Sequence, residues 1–413
     1  MVRPTTPLLG PMRPLTEQDI VFTDFESFLG DRAIPQSRLL AYTAWLMATA
    51  RCARDGVSEP QAARKVWEQT RDRVRRFGIS PAHIAQRMLL IMPPALRELD
   101  PGALGGELPR LFETLTSEPD GAPIDRRMQH TAEIVNEALA QAFPSGGEAP
   151  DDIVHVTCST YQAPSPVERF VSARGWGRTT VTNSWHMGCY GAFPGVRIAA
   201  GFLAAAHLGF VAPKRRVEIL HTEVLSAHAD LLDHSPGNIV TATLFADGFV
   251  RYALVPGARH APGAAGLRLV GWDERVLPGC ADEMTWDLSP HGFKMYLSPE
   301  VPLFIRDHVA GLVNSLATEA GCDPTALRDR AVFALHPGGP RIVDLVQEAL
   351  ALRPDQVCFS REVLRERGNM SSATVPHIWQ RILAEPAVPS GTPVVSLAFG
   401  PGLTATALLL QKV

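Results

Sequence analysis

Apolar residues recur at helical spacing over residues 38–54, 59–77 and 125–143, each with a polar opposite face, and predict three amphipathic helices in the first third of the chain. Beyond residue 150 the texture changes. Short β-branched runs at 153–158, 181–185 and 217–221 predict strands, and 193–210 predicts an apolar helix rich in small residues, with Pro194 suited to its first turn. Residues 238–245 form an apolar run that ends at Ala246-Asp247-Gly248 and reads as extended, and 249–255 predicts a strand after that turn. Glycine and proline thicken over 256–279, which reads as a loop or hairpin connection and as the internal boundary. The second half then repeats the order of the first: helix 301–320, strand 331–335, helices 339–352 and 372–383, strands 394–399 and 404–413. Strands alternating with helices imply a layered α/β protein.

Composition narrows the class. A chain of 413 residues, 46% hydrophobic and 20% charged, buries one large core or two medium ones. A net charge of -4 gives no basic surplus, so neither nucleic acid nor an anionic membrane is an expected partner. The apolar stretch 198–211 is interrupted by His207 and too short to span a bilayer. Residues 1–14 carry four prolines and no apolar core, and read as a loose arm rather than a secretory signal or helix. Six scattered cysteines without a CxxC pair argue against structural zinc and against a disulfide framework, and fit a reducing cytoplasm. The division expected is a proline-rich arm (1–14), a half carrying a nucleophilic cysteine (15–255) and a half carrying a histidine and an asparagine (256–413).

Those three residues stand in glycine-rich turns beside apolar runs. Cys189 lies in Gly188-Cys189-Tyr190-Gly191, between an extended segment and the start of a helix, where exposed N–H groups and the helix dipole favour a thiolate and are expected to lower its pKa. Taken alone, it reads more readily as a buried cysteine acting as a small hydrophobe. His336 ends a strand at Leu335-His336-Pro337-Gly338-Gly339-Pro340, a turn that cannot continue regular structure. Asn369 sits in Gly368-Asn369-Met370-Ser371-Ser372-Ala373, where it could also be a simple turn or cap residue. Together they supply a nucleophile, its proton or ion-pair partner and a neutral amide donor.

With Val156-Thr157-Cys158-Ser159-Thr160, Glu223, Leu244-Phe245-Ala246-Asp247-Gly248 and Phe399-Gly400-Pro401-Gly402-Leu403-Thr404 in the same order, the chain from about residue 153 onward resembles the type III polyketide synthases, the chalcone synthase-like group of the thiolase superfamily. The first 150 residues resemble it weakly, through Gln86-Arg87-Met88. The resemblance implies a five-layer αβαβα core of two duplicated halves and a homodimer. It implies an acyltransferase that loads an acyl group from acyl-CoA, or from an acyl carrier protein, onto Cys189 and extends it by decarboxylative Claisen condensation with malonyl-CoA. His336 would pair with the Cys189 thiolate, and His336 and Asn369 would donate to the enolate oxygen. Coenzyme A thioesters enter as substrates, no cofactor is bound permanently, and no metal is required.

The same resemblance makes Phe245 an aromatic gate, although a core role is open to it as well. It places Thr160, Gly339, Phe399, Gly400 and Pro401 around the pocket and puts three departures there. Tyr161 replaces a small residue and is expected to restrict one lobe of the cavity. His228 stands for a threonine, and a core role is favoured over orienting a carbonyl. Met295 replaces a second aromatic gate and leaves a more adaptable wall. These departures favour an aliphatic starter and a short product such as an alkyl pyrone or a resorcinol. Arg71, Arg75 and Arg76 are candidates for coenzyme A phosphates, against the plainer reading of a solvated charged face. Competing readings are a ketosynthase III-like enzyme that performs one condensation or acyl transfer, a non-catalytic thiolase-fold scaffold and a hydrolase.

Overall fold

The computed structural model describes residues 13–97 and 106–413, so nearly all of the 1–14 arm lies outside the described residues. Nine strands form one hydrogen-bonded sheet in the order Val332–Leu335, Pro393–Gly400, Thr404–Lys412, Leu267–Val276, Ile20–Ser27, Gly248–Pro256, Val217–Glu223, Asp152–Thr157 and Thr180–Trp185. Pairing is parallel at the two ends and antiparallel between them. Ile20–Ser27 joins the two parts of the sheet, with Phe22 opposite Leu254 on one side and Leu267 on the other. Asp152–Thr157, Pro393–Gly400 and Thr404–Lys412 are buried along their whole length, as expected for strands covered on both faces.

Three large apolar clusters give the layering. The first packs helices Gln36–Asp55 and Ile124–Ala142 on the outer face of one part of the sheet. The third packs helices Val301–Glu319 and Pro340–Ala349 on the outer face of the other. Between them, helices Ala192–His207 and Thr374–Ala384 lie back to back, through Phe193, Val196, Ile378 and Trp379 among others. Outer helices, strands, central helices, strands and outer helices make the five αβαβα layers. Small residues allow the central layer to sit close: a Cβ on Gly195 would come within 3.0 Å of Val156.

Most expected elements are present within a few residues, and three readings change. Residues 238–245 do not form a strand: Ser235 accepts a hydrogen bond from the Asn238 N–H, Pro236 opens the first turn, and helix Pro236–Leu244 follows. The connection read at 256–279 contains the strand Leu267–Val276. Ile20–Ser27 and the hairpin Met284–Ser289/Gly292–Leu297 were not expected at all. No helix among the described residues is long and apolar enough to cross a membrane.

Trp379 is the largest fully buried side chain, packed against Phe22, Phe193 and Tyr252, with its indole N–H donating to Ser396 Oγ at 2.7 Å. Trp379→Ala is expected to cost about 3–5 kcal/mol, read as a lower urea midpoint.

Candidate active site

Strand Thr180–Trp185 ends two residues before Gly188, whose φ of +74° turns the chain sharply into a short 3-10 segment, Gly188–Tyr190, and then into helix Ala192–His207. That turn is clamped from outside. A Cβ on Gly188 would collide with Pro401, and one on Gly400 would collide with Tyr190, so the Phe399-Gly400-Pro401 turn seats directly on the cysteine loop. From inside, Cys158 Sγ accepts a hydrogen bond from the Gly188 N–H at 3.0 Å. Cys189 is held between these contacts and is buried.

Asn369 reaches the same thiol. Its backbone N–H donates to Leu244 O at 3.1 Å and its carbonyl accepts from the Ala246 N–H at 2.8 Å, forming a parallel bridge to Phe245. Its Oδ1 accepts from the Ser371 N–H at 2.9 Å, which orients the amide so that Nδ2 donates toward Cys189 Sγ at 4.0 Å. Arg87 fixes the other side of this bridge. Fully buried, it donates to Gln36 Oε1 at 2.7 Å, to Ala242 O at 3.0 Å and to Phe245 O, and burial lowers its pKa to about 9. His336 follows strand Val332–Leu335 and donates its N–H to Leu397 O at 2.7 Å. The neighbouring strand runs on from Leu397 to the Pro401 turn that seats on Gly188, so the sheet delivers His336 to the cysteine end.

Electrostatics overturn one expectation. Burial raises the Cys189 thiol to about 12, outweighing the opposing Asn369 and Ser371 hydrogen bonds. Burial likewise lowers His336 to about 3, and both imidazole nitrogens lack a hydrogen-bond partner. Loss of solvation is the dominant cause, and it favours the neutral thiol and the neutral imidazole over the thiolate expected at a helix N-terminus.

Beneath the thiol lies a buried polar network. Glu223 accepts from the Cys158 N–H and Ser159 Oγ, both at 3.0 Å, and from Ser372 Oγ, and burial raises its pKa to about 7. Ser372 Oγ is in turn 3.0 Å from His221 Nδ1. Sequence reasoning placed Glu223 and Cys158 in motifs but gave them no part in the site. Only their contacts reveal it.

The pocket candidates divide. Phe245, His228 and Met295 line one cavity of about 120 Å³ together with Leu89, Leu225 and Phe293. The triad residues do not line it; Phe245 and its bridge to Asn369 separate the two. His228 stacks on Phe293 at 4.3 Å, and its Nδ1 accepts from the Phe293 N–H at 3.2 Å. Nε2 therefore carries the hydrogen and donates to Ser159 O at 2.8 Å, leaving neither nitrogen for a substrate carbonyl. Thr160 is buried with its hydroxyl unpartnered, and Gly339 begins helix Pro340–Ala349 beside open space. Tyr161 does not restrict the cavity. It is 57% exposed and packs on Trp185, because the chain leaves the sheet after Thr157 and turns its ring outward.

Arg71, Arg75 and Arg76 lie near the C-terminal end of helix Pro60–Phe77, where Arg71 pairs with Asp72 over Trp67 and Arg76 lies over Phe77. Arg73 of the same cluster is better placed. It donates to His234 O at 2.7 Å, on the loop whose Asp230, Leu231 and Asp233 line the cavity. No group of three or more His, Cys, Asp or Glu among the described residues is arranged to hold a metal ion.

Residues 269–413 match the family model of chalcone and stilbene synthases, C-terminal domain. The chain is 27% identical over 303 residues to 3,5-dihydroxyphenylacetyl-CoA synthase of Streptomyces toyocaensis, covering 71% of this chain and 75% of that protein. It is 29% identical over 256 residues to 1,3,6,8-tetrahydroxynaphthalene synthase of Streptomyces coelicolor, covering 62% and 64%. The solved structure of the S. coelicolor synthase, a bacterial type III polyketide synthase, superposes with a TM-score of 0.70 at 22% identity, over 95% of this chain and 99% of that one. The type III polyketide synthase domain of Steely1 from Dictyostelium gives 0.71 at 20% identity, over 97% and 100%. Residues 269–413 carry the match to the chalcone and stilbene synthase C-terminal domain, and along the rest of its length the chain is similar to type III polyketide synthases in sequence and has their fold.

Proposed function

We propose that the protein loads an aliphatic acyl group onto Cys189 from coenzyme A and extends it with malonyl-CoA to a short polyketide such as an alkyl pyrone. The observation that carries this reading is the buried Cys189 thiol with the Asn369 amide aimed at it, together with a histidine at the same end of the sheet whose two nitrogens have no protein partner. Buried polar atoms are normally paired, so an orphaned imidazole at the cysteine end of the sheet is a position kept for substrate. The division into a half at 15–255 with Cys189 and a half at 256–413 with His336 and Asn369 belongs to the same reading.

In loading, Cys189 Sγ attacks the thioester carbonyl, His336 takes the thiol proton, and the coenzyme A thiolate leaves and receives it. In extension, the bond from the malonyl methylene carbon to its carboxylate breaks and carbon dioxide departs. The electron pair stays as an enolate, whose oxygen accepts from Asn369 Nδ2 and the imidazole N–H. That carbon then attacks the acyl carbonyl on Cys189 and expels the thiolate. Because carboxylate loss generates the carbanion, a neutral His336 suffices.

The cavity supports a small aliphatic starter. Its walls include Leu46, Leu89, Met92, Leu225 and Met295, and about 120 Å³ is the space of roughly four waters at about 30 Å³ each. Arg73, with Arg76 one turn further on the same helix face, is the reading for the coenzyme A phosphates, and Arg75 stands beside them. The partly exposed edge strand Thr180–Trp185 supports a homodimer, and six free cysteines support a reducing cytoplasm. Delivery by an acyl carrier protein would use the same thiol.

Three outcomes are expected. Mass spectrometry after mixing with acyl-CoA shows an acyl adduct on Cys189 that Cys189→Ala abolishes; absence of any adduct would favour a scaffold. Asn369→Ala still loads but decarboxylates malonyl-CoA about 10²- to 10³-fold more slowly, and full retention would remove its role. With a thiol pKa near 12, the thiolate fraction at pH 7 is on the order of 10⁻⁵, so Cys189 alkylation by iodoacetamide should rise about tenfold per pH unit from pH 6 to 10. A plateau by pH 7 would mean a resting thiolate–imidazolium pair.

A further inference from the structure

Met370 lines a second cavity of about 120 Å³, together with Gly30, Gln86, Asp247, Glu366, Arg367 and His377 among others. The acyl chemistry has no use for it. Its charges sort unevenly. Glu366 is spent on Arg381, through two hydrogen bonds at 2.8 and 2.9 Å. Asp247 accepts from the Ser226 N–H at 2.9 Å, Ser226 Oγ at 2.6 Å and the Leu90 N–H at 2.5 Å. Arg367, the last residue of helix Cys358–Arg367, makes no hydrogen bond or ion pair among the described residues, although the protein removes much of its solvent. His377 is 4% exposed, and its Nδ1 has no partner.

We propose that this cavity is a binding site for one small, protonatable oxyanion, of the class of hydrogen phosphate or bicarbonate. A guanidinium offers such an ion paired donors in one plane. The buried imidazole nitrogen is satisfied in either tautomer, accepting from the ion's O–H or donating to its oxygen. Room for roughly four waters at about 30 Å³ each holds a tetrahedral or trigonal oxyanion and excludes a nucleotide. The site abuts the proposed active site: Arg367 and Met370 flank Gly368 and Asn369, and Gly368 at φ +75° packs on the Arg87 side chain. An ion held here bears on the loop that aims the Asn369 amide.

Isothermal titration of the full chain with inorganic phosphate, and separately with bicarbonate, tests this. Saturable binding of at least one, close to one ion per chain, is expected. Arg367→Gln should weaken it at least tenfold, Arg367→Lys should retain part of it, and His377→Phe should weaken it with the charge intact. Circular dichroism and the melting temperature without anion show whether each variant is folded. If Arg367→Gln fails to fold, Arg367→Lys and His377→Phe decide. No saturable binding of either ion, or equal binding by wild type and every folded variant, would overturn the proposal.

Discussion

Two backbone hydrogen bonds stitch Asn369 to the segment that carries Phe245, and a third, from Ser371, turns its amide onto Cys189. The rest of the site is arranged around that stitch. Arg87 holds the Phe245 carbonyl from the far side, Phe245 walls the apolar cavity, and Gly368 needs its left-handed backbone to let the chain leave the helix and enter the bridge. The Asn369 amide and the Phe245 wall therefore belong to one hydrogen-bonded piece. A shift in either moves the other, which links the position of an incoming acyl group to the donor proposed to stabilise charge.

Burial sets the second constraint. Cys189, His336 and Glu223 are all displaced toward their neutral forms by loss of solvation, to about 12, about 3 and about 7. A neutral thiol and imidazole are stable when dry, and the imidazole nitrogens stay unspent. The cost falls on the nucleophile, which must lose its proton as substrate arrives rather than before. Burial of Cys189 and His336 also protects a thioester from water, which favours carbon–carbon bond formation over hydrolysis.

Legibility varied with the kind of signal. The amphipathic helices at 59–77 and 125–143 were readable because one polar face meets solvent, and the glycine-rich turns around Cys189, His336 and Asn369 because of their turn-forming residues. Helix Pro236–Leu244 was misread although Ser235-Pro236 carried a start signal, since its apolar residues form a run. Strand Leu267–Val276 was hidden by its part-exposed pattern and the glycines before it. Motif order placed Tyr161 at the pocket but could not say which way its ring turns. The helix start before Cys189 was legible and suggested a thiolate, whereas the burial that reverses that reading arises only when the Pro401 turn and the Asn369 loop close over it.

The most direct measurement is product and carbon dioxide analysis with hexanoyl-CoA and uniformly ¹³C-labelled malonyl-CoA. The account predicts that each turn of extension releases one labelled carbon dioxide and leaves one labelled two-carbon unit in a product still carrying the hexanoyl chain. Release of free hexanoate without consumption of malonyl-CoA would contradict it.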